Sequence, residues 1–83
     1  MMGDGETVLY GSTDSSESQA VADLLQDLGV AYSFREVNTD PSAMREWEQL
    51  DGETVPMLRM GHHTIVRGFD QIRIQQIFGW VGC

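Results

Sequence analysis

The fold of this chain is constrained most by the order of its apolar segments, some of which are short continuous runs and others of which have helical spacing. Residues 7–10 form a short apolar run that is typical of a buried strand, whereas residues 31–37 alternate imperfectly, as an edge strand does. Residues 57–60 and 64–66 predict two further strands, which a tight turn at Gly61-His62-His63 joins as a hairpin. Four strands are therefore expected.

Three segments between or after these strands carry apolar residues at helical spacing. The first starts at 14–17, where an aspartate is followed three residues later by a glutamate, and Gly29 ends it. The second opens at Asp40-Pro41 and closes at Asp51-Gly52, and the third begins near 69–70. The expected apolar faces of the second and third helices are Met44, Trp47 and Leu50, and Ile72, Ile74, Ile77, Phe78 and Val81, respectively.

The predicted order is strand-helix-strand-helix-strand-strand-helix. A strand-helix-strand unit forms a right-handed parallel crossover, and two strands joined by a tight turn form an antiparallel hairpin. We therefore expect an α/β fold in which helices cover both faces of a four-stranded mixed sheet. The length of 83 residues predicts a single domain, 1–83, with a flexible N-terminus at 1–6 and a C-terminal tail at 79–83.

The charge balance excludes several classes of function. Five Lys and Arg residues against 13 Asp and Glu residues give a formal net charge of -8, whereas a nucleic-acid surface needs clustered cations. No run approaches the ~18 apolar residues of a membrane span. The acidic, polar start of the chain also differs from a secretory signal. We expect a cytoplasmic monomer with neither nucleic-acid nor membrane partners.

The residues that could carry metal or phosphate chemistry are few. The single cysteine, Cys83, can form neither an internal disulfide nor a cysteine-rich metal site. The adjacent His62 and His63 point apart on an extended turn, so no metal is expected. Residues 11–15 join a strand to a helix, but they lack the glycines and the lysine that cradle a phosphate.

Three local patterns occur in a characteristic order. A strand at 8–10 leads through a loop to a helix start, Thr54-Val55-Pro56 precedes the third strand, and Gly68-Phe69-Asp70 opens the last helix. In this order, over about residues 7–78, the chain resembles the glutaredoxins, which are small members of the thioredoxin-like fold. The Gly-Phe pair is similar to that of the redoxin-type glutaredoxins that serve ribonucleotide reductase. Thr-Val-Pro alone is a weak signal, and the order of all three makes it specific.

The resemblance implies the position of a catalytic site, but this chain lacks the two cysteine sulfur atoms that such a site needs. The family's two active-site cysteines fall at Ser15 and Ser18, so that the Cys-x-x-Cys motif is Ser15-Ser16-Glu17-Ser18. The basic residue that helps the family hold glutathione falls at Ser12, and the aromatic residue between the cysteines falls at Glu17. Disulfide exchange requires a thiolate, which a helix N-terminus favours by lowering the pKa of the thiol. A serine hydroxyl cannot replace it, so we expect a redox-silent chain.

The same resemblance implies a binding groove. The family's Thr-Val-Pro proline is cis, which predicts a cis Val55-Pro56 bond and leaves the Val55 backbone to pair with an extended peptide. Gly68-Phe69-Asp70 would hold a carboxylate of glutathione at the N-terminus of the last helix. Asp70 as a simple helix cap is the alternative, and Ser15 and Ser18 are likewise favoured capping residues.

Two functions follow from these observations. The first is a glutaredoxin-like domain of the thiol–disulfide oxidoreductase class, with the family's electron transfer and redox homeostasis disabled. The second is a non-catalytic module that holds a peptide, glutathione or a partner strand beside Pro56. The resemblance implies glutathione as co-substrate, a protein disulfide as partner and no bound cofactor. Serine at both positions favours engineered replacement of the cysteines, whereas Glu17 and the missing basic residue favour natural divergence.

Overall fold

A computed structural model describes residues 6–61 and 64–78, and these residues form four strands and three helices in the predicted order. The predictions for residues 1–5, for His62 and His63, and for the tail at 79–83 lie outside the described residues. The strands are β1 (Thr7–Gly11), β2 (Ser33–Glu36), β3 (Met57–Met60) and β4 (Thr64–Arg67). The helices are α1 (Ser16–Asp27), α2 (Pro41–Gln49) and α3 (Gln71–Phe78).

The strands form one mixed sheet in the order β2-β1-β3-β4. Leu9 of β1 pairs in parallel with Phe34 of β2 and antiparallel with Leu58 of β3. Strands β3 and β4 form the predicted hairpin, with Leu58 opposite Val66. The prediction of an edge position for β2 is therefore confirmed, and β1 lies in the centre because strands flank it on both sides.

Alternate side chains of β1 face two separate halves of the core. Leu9 packs with Leu25 of α1 and with Ile74 of α3, whereas Tyr10 on the opposite face packs with Ala43 of α2. All five residues of β1 are buried. Helices consequently cover both faces of the sheet, as predicted: α1 and α3 on one face and α2 on the other. None of the described helices is long and apolar enough to cross a membrane.

The faces that α2 and α3 bury differ from the predicted ones. Met44 is 38% exposed, whereas the neighbouring Ala43 is fully buried. Each residue turns a helix by about 100°, and the stripe that faces the sheet runs through Ala43, Trp47 and Leu50 instead. In α3, Ile74 is fully buried, while Ile72 is 69% and Ile77 is 38% exposed. Spacing alone did not identify which of these apolar residues faces the core.

The helix and strand boundaries also differ in three places. Strand β2 is shorter than the predicted 31–37 segment. Helix α1 is capped by Ser15 and not by Asp14, because the Ser15 hydroxyl accepts the hydrogen bond from the Ser18 N–H. Helix α3 begins at Gln71, one residue after the predicted opening pair. The Asp40 cap and the position of Pro41 at the start of α2 are confirmed.

The opposite environments of two isoleucines on α3 provide a test of this packing. Ile74→Ala is expected to lower the free energy of unfolding by about 2–4 kcal/mol, because it leaves a cavity in the core. The matched control, Ile72→Ala, removes the same atoms from an exposed site and is expected to change it by less than about 0.5 kcal/mol. Urea denaturation followed by circular dichroism measures both. Equal losses in the two variants would contradict the placement of α3.

Candidate functional site

The sheet register brings the three predicted site segments to one end of the sheet. Strand β1 ends at Gly11, and the antiparallel pairing of Tyr10 with Met57 places Pro56 beside that end. The Gly68 N–H donates to the Pro56 carbonyl at 2.8 Å and so continues the β3–β4 ladder. The segments 12–18, 54–56 and 68–70 therefore share this end, which we call the motif end.

Ser15 and Ser18 occupy the first turn of α1 in different environments. Ser15 is the N-cap, has extended backbone dihedral angles (φ -94°, ψ 119°) and is half-buried. Its hydroxyl accepts from the Ser18 N–H at 3.2 Å. Ser18 is fully buried, and its hydroxyl accepts from the Ser12 N–H at 3.2 Å. The first position of the motif is thus accessible, and the second is enclosed.

Close packing between β1 and α1 encloses Ser18. A Cβ atom on Gly11 would lie 2.8 Å from the Ser18 hydroxyl oxygen and 2.9 Å from the Ser18 Cβ. The end of β1 can therefore approach α1 this closely only because residue 11 has no side chain. The sequence pattern alone does not reveal this contact.

Ser12 lies inside the β1–α1 loop and holds it together. It is 3% exposed, and its hydroxyl accepts from the Asp14 N–H at 3.2 Å and from the Asn38 side-chain amide at 2.8 Å. The Glu36 carboxylate accepts from the Thr13 N–H at 2.8 Å and from the Asn38 N–H at 3.3 Å. The hydroxyl that the resemblance assigned to ligand binding is thus engaged with the loop itself.

Sequence reasoning missed Glu36 and Asn38, which connect the motif end to the edge of the sheet. Glu36 is the last residue of β2 and Asn38 follows shortly after it, and the carboxyl ends of adjacent parallel strands meet at the same edge. The polar run after β2 was therefore the signal that could have identified them. Glu36 and Asn38 hydrogen-bond to Thr13 and Ser12, respectively, and so hold the loop that precedes Ser15 and α1.

The loop between α2 and β3 wraps around Trp47 and carries Thr54 and Val55 to the motif end. The indole N–H of Trp47 donates to the Thr54 carbonyl at 3.2 Å, and the Gly52 N–H donates to the Trp47 carbonyl at 2.9 Å. A Cβ on Gly52 would lie 2.4 Å from the indole nitrogen. The Arg67 guanidinium donates to the Leu50 carbonyl at 3.2 Å and holds the start of the same loop.

Val55 presents its backbone at the motif end. The Val55-Pro56 peptide bond is cis, Pro56 is buried and Thr54 is exposed. The Val55 side chain packs against the core beneath α2. Within residues 6–61 and 64–78, neither the N–H nor the C=O of Val55 makes a hydrogen bond. With both groups unpaired, the half-buried Val55 backbone can pair with a further extended segment.

The start of α3 completes the motif end. The Asp70 carboxylate accepts from the Arg73 N–H at 3.0 Å, so Asp70 caps the helix, which was the simpler of its two predicted roles. Gly68 has φ +76°, a conformation that glycine adopts without strain. Phe69 is 41% exposed. The capping carboxylate already occupies the position at which the helix end would favour a bound anion.

The motif end is acidic. The segments 12–18, 54–56 and 68–70 contain Asp14, Glu17 and Asp70, and neither lysine nor arginine. All three acidic residues are exposed. Among the described residues no group of three or more His, Cys, Asp and Glu side chains could hold a metal ion. The arrangement therefore offers capping hydroxyls, an open backbone edge and negative charge, but no thiol.

The contact between Gly52 and Trp47 predicts how tightly the Thr54–Val55 segment is held. Gly52→Ala is expected to lower the free energy of unfolding by about 1–3 kcal/mol, because the new methyl group displaces the indole and its bond to Thr54. In a Trp47→Leu background the same substitution is expected to cost less than half as much, since the clash is absent. Urea denaturation of the four proteins measures the coupling. An equal cost in both backgrounds would contradict the contact.

Comparison with known proteins adds one family match. The profile of the glutaredoxin family matches residues 8–65, which include β1 from Val8 onward, the serine motif, Thr54-Val55-Pro56 and β3. Among curated protein sequences none matches the chain significantly.

Several solved structures share the architecture. The thioredoxin-like protein BC3987 is 26% identical, with 87% of this chain and 99% of that chain covered and a TM-score of 0.77. Methanosarcina acetivorans methanoredoxin is 20% identical, with coverages of 93% and 87% and a TM-score of 0.80. The glutaredoxin-like NrdH-redoxin from Escherichia coli is 15% identical, with coverages of 87% and 93% and a TM-score of 0.75. At these identities the last two show a common fold.

Proposed function

Because the chain belongs to the glutaredoxin family, a family of thioredoxin-fold redox proteins, we propose that it is a thiol–disulfide oxidoreductase domain whose dithiol chemistry is silent. One observation carries the proposal. Ser15 and Ser18 lie at the N-cap and in the first turn of α1, one half-buried and the other enclosed, where a reactive and a resolving cysteine would be needed.

The missing step can be stated atom by atom. In dithiol exchange a thiolate attacks a substrate disulfide, forms a mixed disulfide and releases one substrate thiol. A second thiol then attacks the mixed disulfide, so that the protein is oxidised to a disulfide and the substrate is reduced to two thiols. The hydroxyls of Ser15 and Ser18 form neither sulfur–sulfur bond. They instead accept hydrogen bonds from the Ser18 and Ser12 amides, which preserves the local fold.

The remaining cysteine does not replace this pair. Cys83 is the only cysteine of the chain and stands at its last position, whereas Ser15 begins the first helix. A single thiol cannot close an intramolecular disulfide. A lone cysteine also fits a reducing compartment, which supports a cytoplasmic location as part of this proposal.

A second candidate function is a binding module, and the unpaired backbone of Val55 favours it. An extended segment that lies antiparallel to Val55 would gain two backbone hydrogen bonds without any thiol chemistry. Glutathione, a peptide or a partner strand each supplies such a backbone. The acidic residues Asp14 and Glu17 favour a neutral or cationic segment over glutathione, which carries a net negative charge.

Restoring the two cysteines tests the silent-site proposal. In a Cys83→Ser background, the Ser15→Cys/Ser18→Cys protein is expected to reduce a disulfide substrate at least about tenfold faster than the serine form. The serine form is expected to match the rate without protein. A dithiothreitol-coupled insulin-reduction assay measures both, and Ser15→Ala/Ser18→Ala is the matched inactive control.

Two outcomes of that assay would contradict the proposal. Turnover by the serine form above the alanine control would show that the site is not silent. A folded double-cysteine protein without activity would show that residues 15 and 18 are not the family's cysteine positions.

Replacing Glu17 by Gln in the double-cysteine protein is expected to lower the pKa of the Cys placed at position 15, because a nearby negative charge disfavours the thiolate.

Amide NMR titration tests the binding function. A lysine-flanked pentapeptide is expected to shift the amides of Val55 and Gly68, and oxidised glutathione is expected to shift them less at equal concentration. The control peptide has proline at its central residue and therefore cannot donate to the Val55 carbonyl. Equal shifts from the peptide and its proline control would argue against backbone pairing. Shifts confined to residues away from the motif end would also argue against binding at Val55.

A further inference from the structure

A cleft lies on the α2 face of the sheet, toward the end of β1 that is opposite the motif end. Its volume is about 420 Å³, which lies within the range of about 300–1,000 Å³ for small-molecule sites. It is lined by Glu6, Val8, Tyr10, Ser33, Arg35, Glu46, Gln49, Leu50 and Arg59. We propose that this cleft is a second binding site, which takes a small carboxylate with an apolar body and places the carboxylate on Arg59.

The cleft exists because α2 is shorter than the sheet it covers. Val8 pairs with Ser33 on one side and with Arg59 on the other, so these three residues form one row across the sheet. Helix α2 ends at Gln49, and its last turn borders this row on one side. The next row on this face, at Tyr10, borders the cleft on the side of the helix, where Tyr10 donates to Glu46 at 3.2 Å.

Two arginines line the cleft, and only one of them is neutralised. Arg35 forms an ion pair with Glu46 at 3.0 Å and also donates to the Ser42 hydroxyl at 3.3 Å. Arg59 has no carboxylate within ion-pair distance among residues 6–61 and 64–78, and its Nη1 donates to the Gly61 carbonyl. That bond holds the guanidinium in place and leaves its other donors for a ligand.

Arg59 is half-buried and has no carboxylate within ion-pair distance among the described residues. Arg45, Arg67 and Arg73 lack such a carboxylate as well, but all three are exposed to solvent. Arg59 also stands beside the buried Val8. A fixed guanidinium next to an apolar surface is suited to a carboxylate, which it can bind through two parallel hydrogen bonds.

The remaining lining residues define the rest of the ligand. Val8 and Leu50 offer apolar contact, and the side chains of Ser33 and Gln49 make no hydrogen bond within the described part of the chain. Glu6 is exposed at the rim of the cleft, and its carboxylate would repel a ligand that carried a second negative charge. These features select a monocarboxylate such as an aromatic acid. The inference does not depend on dithiol chemistry, because the cleft and the motif end have no residue in common.

Benzoate and its neutral isostere benzamide are the probes for the test. In amide NMR titrations benzoate is expected to cause saturable shifts at Val8, Ser33 and Arg59, with a dissociation constant on the order of millimolar. Arg59→Gln is expected to weaken binding at least about tenfold, since it removes a charged hydrogen-bond donor. Glu6→Gln is expected to strengthen binding by about twofold, since it removes a repulsive charge at the rim.

The opposite signs of these two effects separate binding from misfolding, because a folding defect would weaken binding in both variants. Arg73→Gln on α3 is the matched control, and it is expected to leave the benzoate affinity unchanged. Equal shifts from benzamide would overturn the proposal, as would equal losses in Arg59→Gln and Arg73→Gln. Weaker binding in Glu6→Gln, or shifts that fail to saturate, would also overturn it.

Discussion

Strand β1 is buried along its whole length, and the remaining elements are arranged by what its two faces require. Leu9 needs apolar partners on one face, which α1 and α3 provide, and Tyr10 needs them on the other, which α2 provides. A strand in this position also needs pairing on both edges, in parallel with β2 and antiparallel with β3. The loops that follow β1 and precede β3 therefore meet at one end of the sheet.

The same constraint explains how two serines fit at the start of α1. Ser18 is enclosed against Gly11, where its hydroxyl accepts the Ser12 amide, and Ser15 caps α1. Capping and amide satisfaction need an oxygen acceptor, whereas disulfide exchange needs a thiolate. Serine supplies the first property and not the second.

Local signals predicted those parts of the structure that depend on neighbouring residues. The Asp40 cap, Pro41 in the first turn of α2 and the β3–β4 hairpin each follow from a few adjacent residues. The bond between Ser12 and Asn38 joins residues 26 positions apart and depends on the parallel pairing of β1 with β2. No local pattern encodes it. The resemblance located the serine motif, but the enclosure of Ser18 follows from its contact with Gly11.

The buried faces of the helices likewise could not be predicted from local sequence alone. Ile72 and Ile74 are alternative members of one apolar set, and both are compatible with an amphipathic helix. Which of them is buried depends on how α3 crosses the sheet, where Ile74 meets the cluster around Leu9. Sequence periodicity fixes the existence of such a helix, while its rotation about its own axis is decided by packing against the sheet.

The two ends of β1 differ in charge, and the two binding proposals rest on this difference. At the motif end Asp14 and Glu17 stand beside a helix N-terminus, so its positive dipole is already offset by carboxylates of the chain itself. At the other end Arg59 has no carboxylate within ion-pair distance in the part of the chain that the structure describes, and it stands beside the buried Val8. The neutral or cationic peptide proposed for the first end and the small carboxylate proposed for the second each match this difference. The net charge of -8 does not show this difference between the two ends, because it is the sum over all the charged side chains of the chain.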